Sequence, residues 1–371
     1  MIKKISSILL VLVCLFSGGI FLFSANAENE KSSSSLMSIS HRGDTAEFEG
    51  NTIEAVVSAF NKGADFVSVN IRKTSDGEFV LCGENKDEVS GDRLADVIDS
   101  AGQDNILILD FDAAIKDELY FYIESGNNLS SVIFRINDSA KNIKAWIKDK
   151  NENIQVMGIY DSFVVFTAAE YIKALSGSGM AFVQYQSKNY FNEMFGSFVS
   201  KAIFASSAKA VVPTYNPDLC GQRRDSEDGW NELIKTGFSV IETNNIDAFT
   251  GYIESNKNAR RDLEKICSKA LAVDAENYNT VSKEKLADAI NDAQLLLSRD
   301  VVSTDELQSA ASTVALAIEN LALKTGEDTQ KGALNITTGK VIATVIVGFA
   351  IFAAQIYTYK MQKGKKQTGE K

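Results

Sequence analysis

Apolar residues recur along this chain in rhythms that change with position. Between residues 38 and 242, short apolar runs alternate with polar segments of helical period. The runs 38–40, 64–72, 106–111, 131–136, 154–159, 181–185, 210–213 and 239–242 have the length of buried strands. Segments 140–148, 168–176, 191–205 and 230–236 read as helices between them. One more helix is expected after Asn51 as cap, with Glu54 three positions on and Ile53, Val56, Val57 and Phe60 on one face, ending at Gly63. Eight strands separated by helices predict an α/β fold, a (β/α)8 TIM barrel over residues 38–255. The same spacing also allows an open, doubly wound sheet.

The rhythm changes after Ile253, where Gly and Pro vanish until Gly326. Leu286, Ile290, Ala293 and Leu297 form one helical stripe, and Leu307, Ala311, Val314, Ile318 and Leu321 another. Ser303, Thr304, Asp305 and Glu306 open the latter with capping residues. With 262–272 these predict a small three-helix bundle over 257–323. Its Ala-rich seams resemble the FIVAR modules of bacterial surface proteins, as a plain stalk or as a glycan- or protein-binding unit.

Two longer apolar runs lie near the ends. Lys3 and Lys4, the run 8–23 and Ala25-Asn26-Ala27 predict a signal peptide over 1–27, either cleaved before Glu28 or kept as an anchor. Residues 341–359 carry no formal charge, and at ~1.5 Å per residue they just span a bilayer core of ~30 Å as one transmembrane helix. The tail 360–371 holds five lysines and is expected in the cytoplasm. Linkers are expected at 28–37 and 324–339. The picture is of a single-pass cell-membrane protein with its bulk outside.

Composition narrows the chemistry. A chain 45% hydrophobic with only 2 Pro is neither disordered nor collagenous. Cys82, Cys220 and Cys267 stand too far apart in sequence for a metal knuckle. Residues 28–339 hold 30 basic and 48 acidic residues, a net of −18, which repels nucleic acid at long range, so no nucleic-acid partner is expected. His41 is the single histidine, which excludes a multi-histidine zinc site and any scheme needing two imidazoles from this chain.

The sequence Ser40-His41-Arg42-Gly43, followed by Asn51-Thr52, Gly63-Ala64-Asp65 and Thr74-Ser75-Asp76-Gly77, resembles the opening of the glycerophosphodiester phosphodiesterase family. Residues 237–244 resemble that family's last strand. The resemblance implies a TIM barrel that cleaves phosphodiesters with calcium or magnesium, a phosphate-binding arginine and two histidines as base and acid. His41 and Arg42 match the first histidine and the arginine. The remaining positions depart: Gly50, Ser68 and Asn70 stand where the family carries metal-binding carboxylates, Gly83-Glu84 where it carries His-Asp, and Asp110-Phe111-Asp112 where it carries Glu-x-Lys.

Asp44, Glu47, Glu49, Asp110 and Asp112 could then rebuild a calcium or magnesium site or form a solvated rim; without such a site no cofactor is expected. His41 is either a structural remnant or, with Arg42, a holder of an anionic group. Arg223 and Arg224, in the insertion 217–224, either close over the mouth or remain a solvated loop. The expectation is a catalytically impaired barrel used for binding or assembly, with a glycerophosphodiester or a wall glycan or polymer as ligand. The alternatives are an active phosphodiesterase working through relocated ligands and a structural spacer.

Overall fold

The computed structural model describes residues 36–83, 91–161, 170, 171, 174, 182–187, 203 and 208–324. The expected signal 1–27, span 341–359 and tail 360–371 lie outside the described residues, as do nearly all of the expected helices 168–176 and 191–205. Among the described residues no helix is long and apolar enough to cross a membrane.

The strands are β1 Met37–His41, β2 Phe66–Lys73, β3 Phe79–Leu81, β4 Ile106–Phe111, β5 Val132–Ile136, β6 Val156–Asp161, β7 Phe182–Gln186, β8 Lys209–Pro213 and β9 Val240–Thr243. All except β3 run parallel in the order β1-β2-β4-β5-β6-β7-β8-β9. Pairing of β9 with β1, Ser38 opposite Ile241 and Ser40 opposite Thr243, closes the ring. Closure excludes the open sheet and leaves a TIM-like barrel of eight parallel strands. The sequence reading missed β3, a three-residue strand antiparallel to β2. Helices α1 Ile53–Asn61, α2 Leu94–Ala101, α3 Lys116–Ser125, α4 Ala140–Ile147 and α5 Glu227–Lys235 follow strands of the barrel.

Side chains two apart on a strand share a face. Ile39, Phe66, Ile108, Ile133, Met157, Phe182, Val211 and Val240, one from each parallel strand, pack together as an apolar cluster of their own. The next residues on that face are His41, Ser68, Asp110, Arg135, Ile159, Gln184, Pro213 and Glu242. A polar layer therefore lies directly on the apolar one, toward the C-terminal ends of the strands, where this architecture builds its sites.

The helix expected to start at Asn51 is capped one residue later. The Thr52 hydroxyl accepts from the Ala55 N–H at 3.2 Å. Asn51 takes a left-handed φ of 63° instead. Its buried side chain donates to the Cys82 carbonyl at 2.8 Å and accepts from the Asn70 N–H at 3.0 Å, stapling the first loop to β2 and the end of β3.

After β9 the chain enters α6 Ile246–Leu271, a helix of 26 residues. Ile246, Phe249, Tyr252 and Ile253 belong to the apolar cluster outside the barrel. Ala259, Leu263, Cys267 and Ala270 join a second cluster with Leu286, Ile290 and Ala293 of α7 Thr280–Leu297 and Leu307 and Val314 of α8 Thr304–Glu319. The domain boundary expected between residues 255 and 257 thus falls inside a continuous helix. Nothing in Glu254-Ser255-Asn256-Lys257 can end one: there is neither Gly nor Pro, and the composition shift marks a change of packing partner.

Buried polar contacts lock the two clusters together. Asn256 donates to the Val302 carbonyl at 2.9 Å and to the Thr304 hydroxyl at 3.1 Å. The Tyr252 hydroxyl donates to Asn231 at 2.7 Å and accepts from the Thr304 N–H at 3.1 Å. Replacing Asn256 by Leu strips the buried Val302 carbonyl of this donor and is expected to cost roughly 1–3 kcal/mol in urea unfolding. A solvated junction would give a change near zero.

Candidate functional site at the barrel mouth

β1 delivers His41 to the mouth, and the two residues after it make a sharp turn: Arg42 has φ 62° and Gly43 φ 84°. The Arg42 N–H donates to the Ser68 carbonyl at 2.9 Å and its carbonyl accepts from the Asn51 N–H at 2.9 Å, so the turn is fixed on both sides. A Cβ on Gly43 would lie 2.5 Å from the Ala55 carbonyl carbon in α1. Gly43→Ala therefore combines positive-φ strain with a backbone clash, and is expected to lower stability by roughly 2–5 kcal/mol. A melting midpoint within a degree of the parent would refute that reading of the turn.

Glu242 is the centre of the polar layer and is fully buried. Three donors converge on its Oε1: an Arg135 amino group at 2.9 Å, the Ser68 hydroxyl at 2.6 Å and His41 Nδ1 at 3.3 Å. The other amino group of Arg135 reaches Asp110 at 3.3 Å, so one buried guanidinium bridges two carboxylates from strands on different sides of the barrel. Burial pushes the Glu242 carboxyl up, but Arg135 beside it, with the His41 and Ser68 contacts, outweighs this and holds it well below the usual carboxylate range. Among the described residues, the buried Glu242 Oε2 has no hydrogen-bond partner.

His41 lies flat against Tyr215, with ring centroids 3.6 Å apart and planes 3° from parallel. The Glu242 carboxylate can only accept, so the proton in that contact is assigned to Nδ1. Asp225 fixes the frame behind the stack. It accepts from the Thr214 and Thr243 hydroxyls, the Trp230 indole and the Asn244 N–H, tying the ends of β8 and β9 to α5. A cleft of about 260 Å³ opens at the mouth, lined by Asn70, Arg72, Gly83, Asp110 and Asp112 among others.

The acids considered for a relocated metal site do not converge. Asp44 is buried and pairs with Lys62 at 2.7 Å, which also holds Glu47 at 3.0 Å. Lys62 and the Ser58 hydroxyl outweigh burial and lower the Asp44 carboxyl below its ordinary value. Asp112 caps a 3-10 turn by accepting from the Ala114 N–H at 2.8 Å, Asp110 faces Arg135, and Glu49 is exposed. Among the described residues no three His, Cys, Asp or Glu side chains group to hold a metal. Arg223 is drawn to Glu232 of α5 at 3.3 Å and Arg224 is exposed, so neither is placed on the His41 array.

Sequence reasoning found His41 and Arg42 through their motif and missed Arg135, Tyr215 and Glu242. The available signal was a lone charge in each of two apolar strands, Arg135 in Val132–Ile136 and Glu242 in Val240–Thr243.

Residues 41–119 match the Glycerophosphoryl diester phosphodiesterase family. The chain resembles that family. Solved structures with similar folds include the glycerophosphodiester phosphodiesterase of Thermotoga maritima, at 14% identity over 58% of this chain and 97% of that one, TM-score 0.45. A glycerophosphoryl diester phosphodiesterase of Parabacteroides distasonis has 15% identity over 59% and 86%, TM-score 0.46. An Oleispira antarctica phosphodiesterase, solved with its product sn-glycerol-3-phosphate, has 14% identity over 60% and 99%, TM-score 0.44. No curated protein matches the chain.

The resemblance to glycerophosphoryl diester phosphodiesterases implies a divalent cation, and the residues at this mouth do not fit one. Gly50, Ser68 and Asn70 supply no charge, and the two carboxylates that face each other across the barrel are already bridged by Arg135. A Cβ on Gly50 would come within 3.0 Å of Thr45 and 3.1 Å of Arg42, so a longer side chain there would crowd the arginine. At Gly83 a Cβ meets nothing within 4 Å among the described residues.

Proposed function

We propose that the chain is an outward-facing membrane protein whose glycerophosphoryl diester phosphodiesterase-like barrel has lost metal-assisted cleavage and serves binding or assembly at the cell surface. The observation that carries this reading is the convergence of Arg135, Ser68 and the only imidazole on the buried Glu242. A histidine engaged in that way, with no second histidine in the chain, leaves a single imidazole where phosphodiester hydrolysis by the resembled family needs one as base and one as acid.

His41 and Arg42 then act as recognition groups, Arg42 offering a planar fork to phosphate. The ligand class is a glycerophosphodiester or a wall polymer built from glycerol phosphate. The signal at 1–27, the span at 341–359 and the basic tail orient the molecule, with α6 to α8 as the three-helix bundle between barrel and membrane.

The test is binding without turnover. In EDTA, glycerophosphocholine is expected to raise the melting midpoint of the full chain, and Arg42→Ala to abolish the rise. Release of glycerol 3-phosphate that depends on His41 would overturn the reading.

A further inference from the structure

Arg135 was not marked by any motif, yet it is the most buried cation near the mouth, with its side chain 1% exposed. It sits between Glu242 of β9 and Asp110 of β4, both on the interior face of the barrel. Take the guanidinium away and three oxygen donors remain around its place: the Glu242 carboxylate, the Asp110 carboxylate, and the Ser68 hydroxyl bonded to Glu242. Oxygen donors of this kind suit calcium, which tolerates irregular geometry. Glu242 Oε2, buried and without a hydrogen-bond partner among the described residues, is a lone-pair position that Arg135 does not use.

We propose that Arg135 is a resident cation masking a latent calcium site formed by Glu242, Asp110 and Ser68. The protein as it stands is calcium-independent because a covalently attached positive charge already neutralises the carboxylates that a divalent cation would need. The charge arithmetic favours the occupant: a tethered guanidinium loses no translational freedom on pairing, whereas a free ion must also shed water. The inference rests on the reading that the barrel does not cleave diesters with a metal, and it adds where the lost cation's charge went.

The test needs no turnover. Melting midpoints of the full chain, Arg135→Ala and the double variant Arg135→Ala/Glu242→Gln are measured in EDTA and across a calcium chloride titration, with sodium chloride matched for ionic strength. The parent is expected to show no saturable calcium response. Arg135→Ala is expected to melt lower in EDTA and to recover saturably in calcium. The double variant, with no unpaired buried carboxylate, is expected to lose the response.

Saturable calcium stabilisation of the parent overturns the proposal, as does an Arg135→Ala protein that responds equally to calcium and to sodium chloride. Should Arg135→Ala be unfolded in EDTA, folding in calcium supports the proposal and failure to fold in both overturns it. Failure of this inference and failure of the functional reading give different results. A hydrolytically active parent without calcium binding would remove that reading alone, and an inactive parent that binds calcium would remove only this inference.

Discussion

In calcium, the full chain is expected to hydrolyse glycerophosphodiesters at least about 10⁵-fold more slowly than a phosphodiesterase that keeps both histidines and its metal ligands. The magnitude follows from two losses. One general acid–base group contributes ~10²–10⁴ in rate, and the charge stabilisation of a bound metal several kcal/mol, roughly another 10³. The low end of the first, about 10², multiplied by the second, about 10³, gives about 10⁵. His41 is the only imidazole, and it stands against Glu242 and Tyr215. His41→Ala is accordingly expected to weaken binding of the diester without abolishing the trace rate at saturating substrate. Product release at an ordinary rate, abolished by His41→Ala, would show that a working acid–base pair exists.

Glu242→Gln is expected to destabilise the fold by roughly 3–5 kcal/mol, because it leaves Arg135 buried with only the half-exposed Asp110 as counter-charge. Chemical denaturation at neutral pH measures this directly. The same carboxylate predicts an acid response with a definite sign. Its folded-state pKa lies below the ordinary 4.5, at about 2. The stability it contributes is present above 4.5 and is lost as pH falls toward 2, since the unfolded chain takes up the proton first. Glu242→Gln should therefore flatten the stability profile between those pH values. A variant whose acid limb is as steep as the parent's would mean that other carboxylates carry it.

The barrel was legible in the sequence because its strands are apolar runs, and their burial on both faces is what such runs report. Strand ends were less so. The run expected from residue 64 pairs only from Phe66, because Gly63, with φ 88°, turns the chain just before it. Helix α1 is capped by Thr52 and not by Asn51, whose amide is committed to Cys82 and Asn70, partners set by the tertiary fold. The site divides in the same way. His41 and Arg42 are neighbours in a motif and could be found locally. Arg135 and Glu242 are 107 residues apart, and only the register around a closed barrel brings them into contact. The lone charges in their strands could equally have been edge residues, and no local pattern distinguishes the two cases.

Only Asn244 and Asn245 separate β9, which carries Glu242, from α6, whose 26 residues extend ~39 Å at ~1.5 Å per residue. The described chain ends beside the far end of that helix, where the Lys324 N–H meets the Asn277 carbonyl at 3.0 Å. This makes α6 a lever. A pull on the chain beyond Lys324 enters the fold at the distal end of the rod, crosses to it through α8, and is resisted at the proximal end by the strand that holds the ion-paired mouth. A force arriving at Lys324 would therefore reach the Glu242–Arg135 pair through one continuous helix and a two-residue turn.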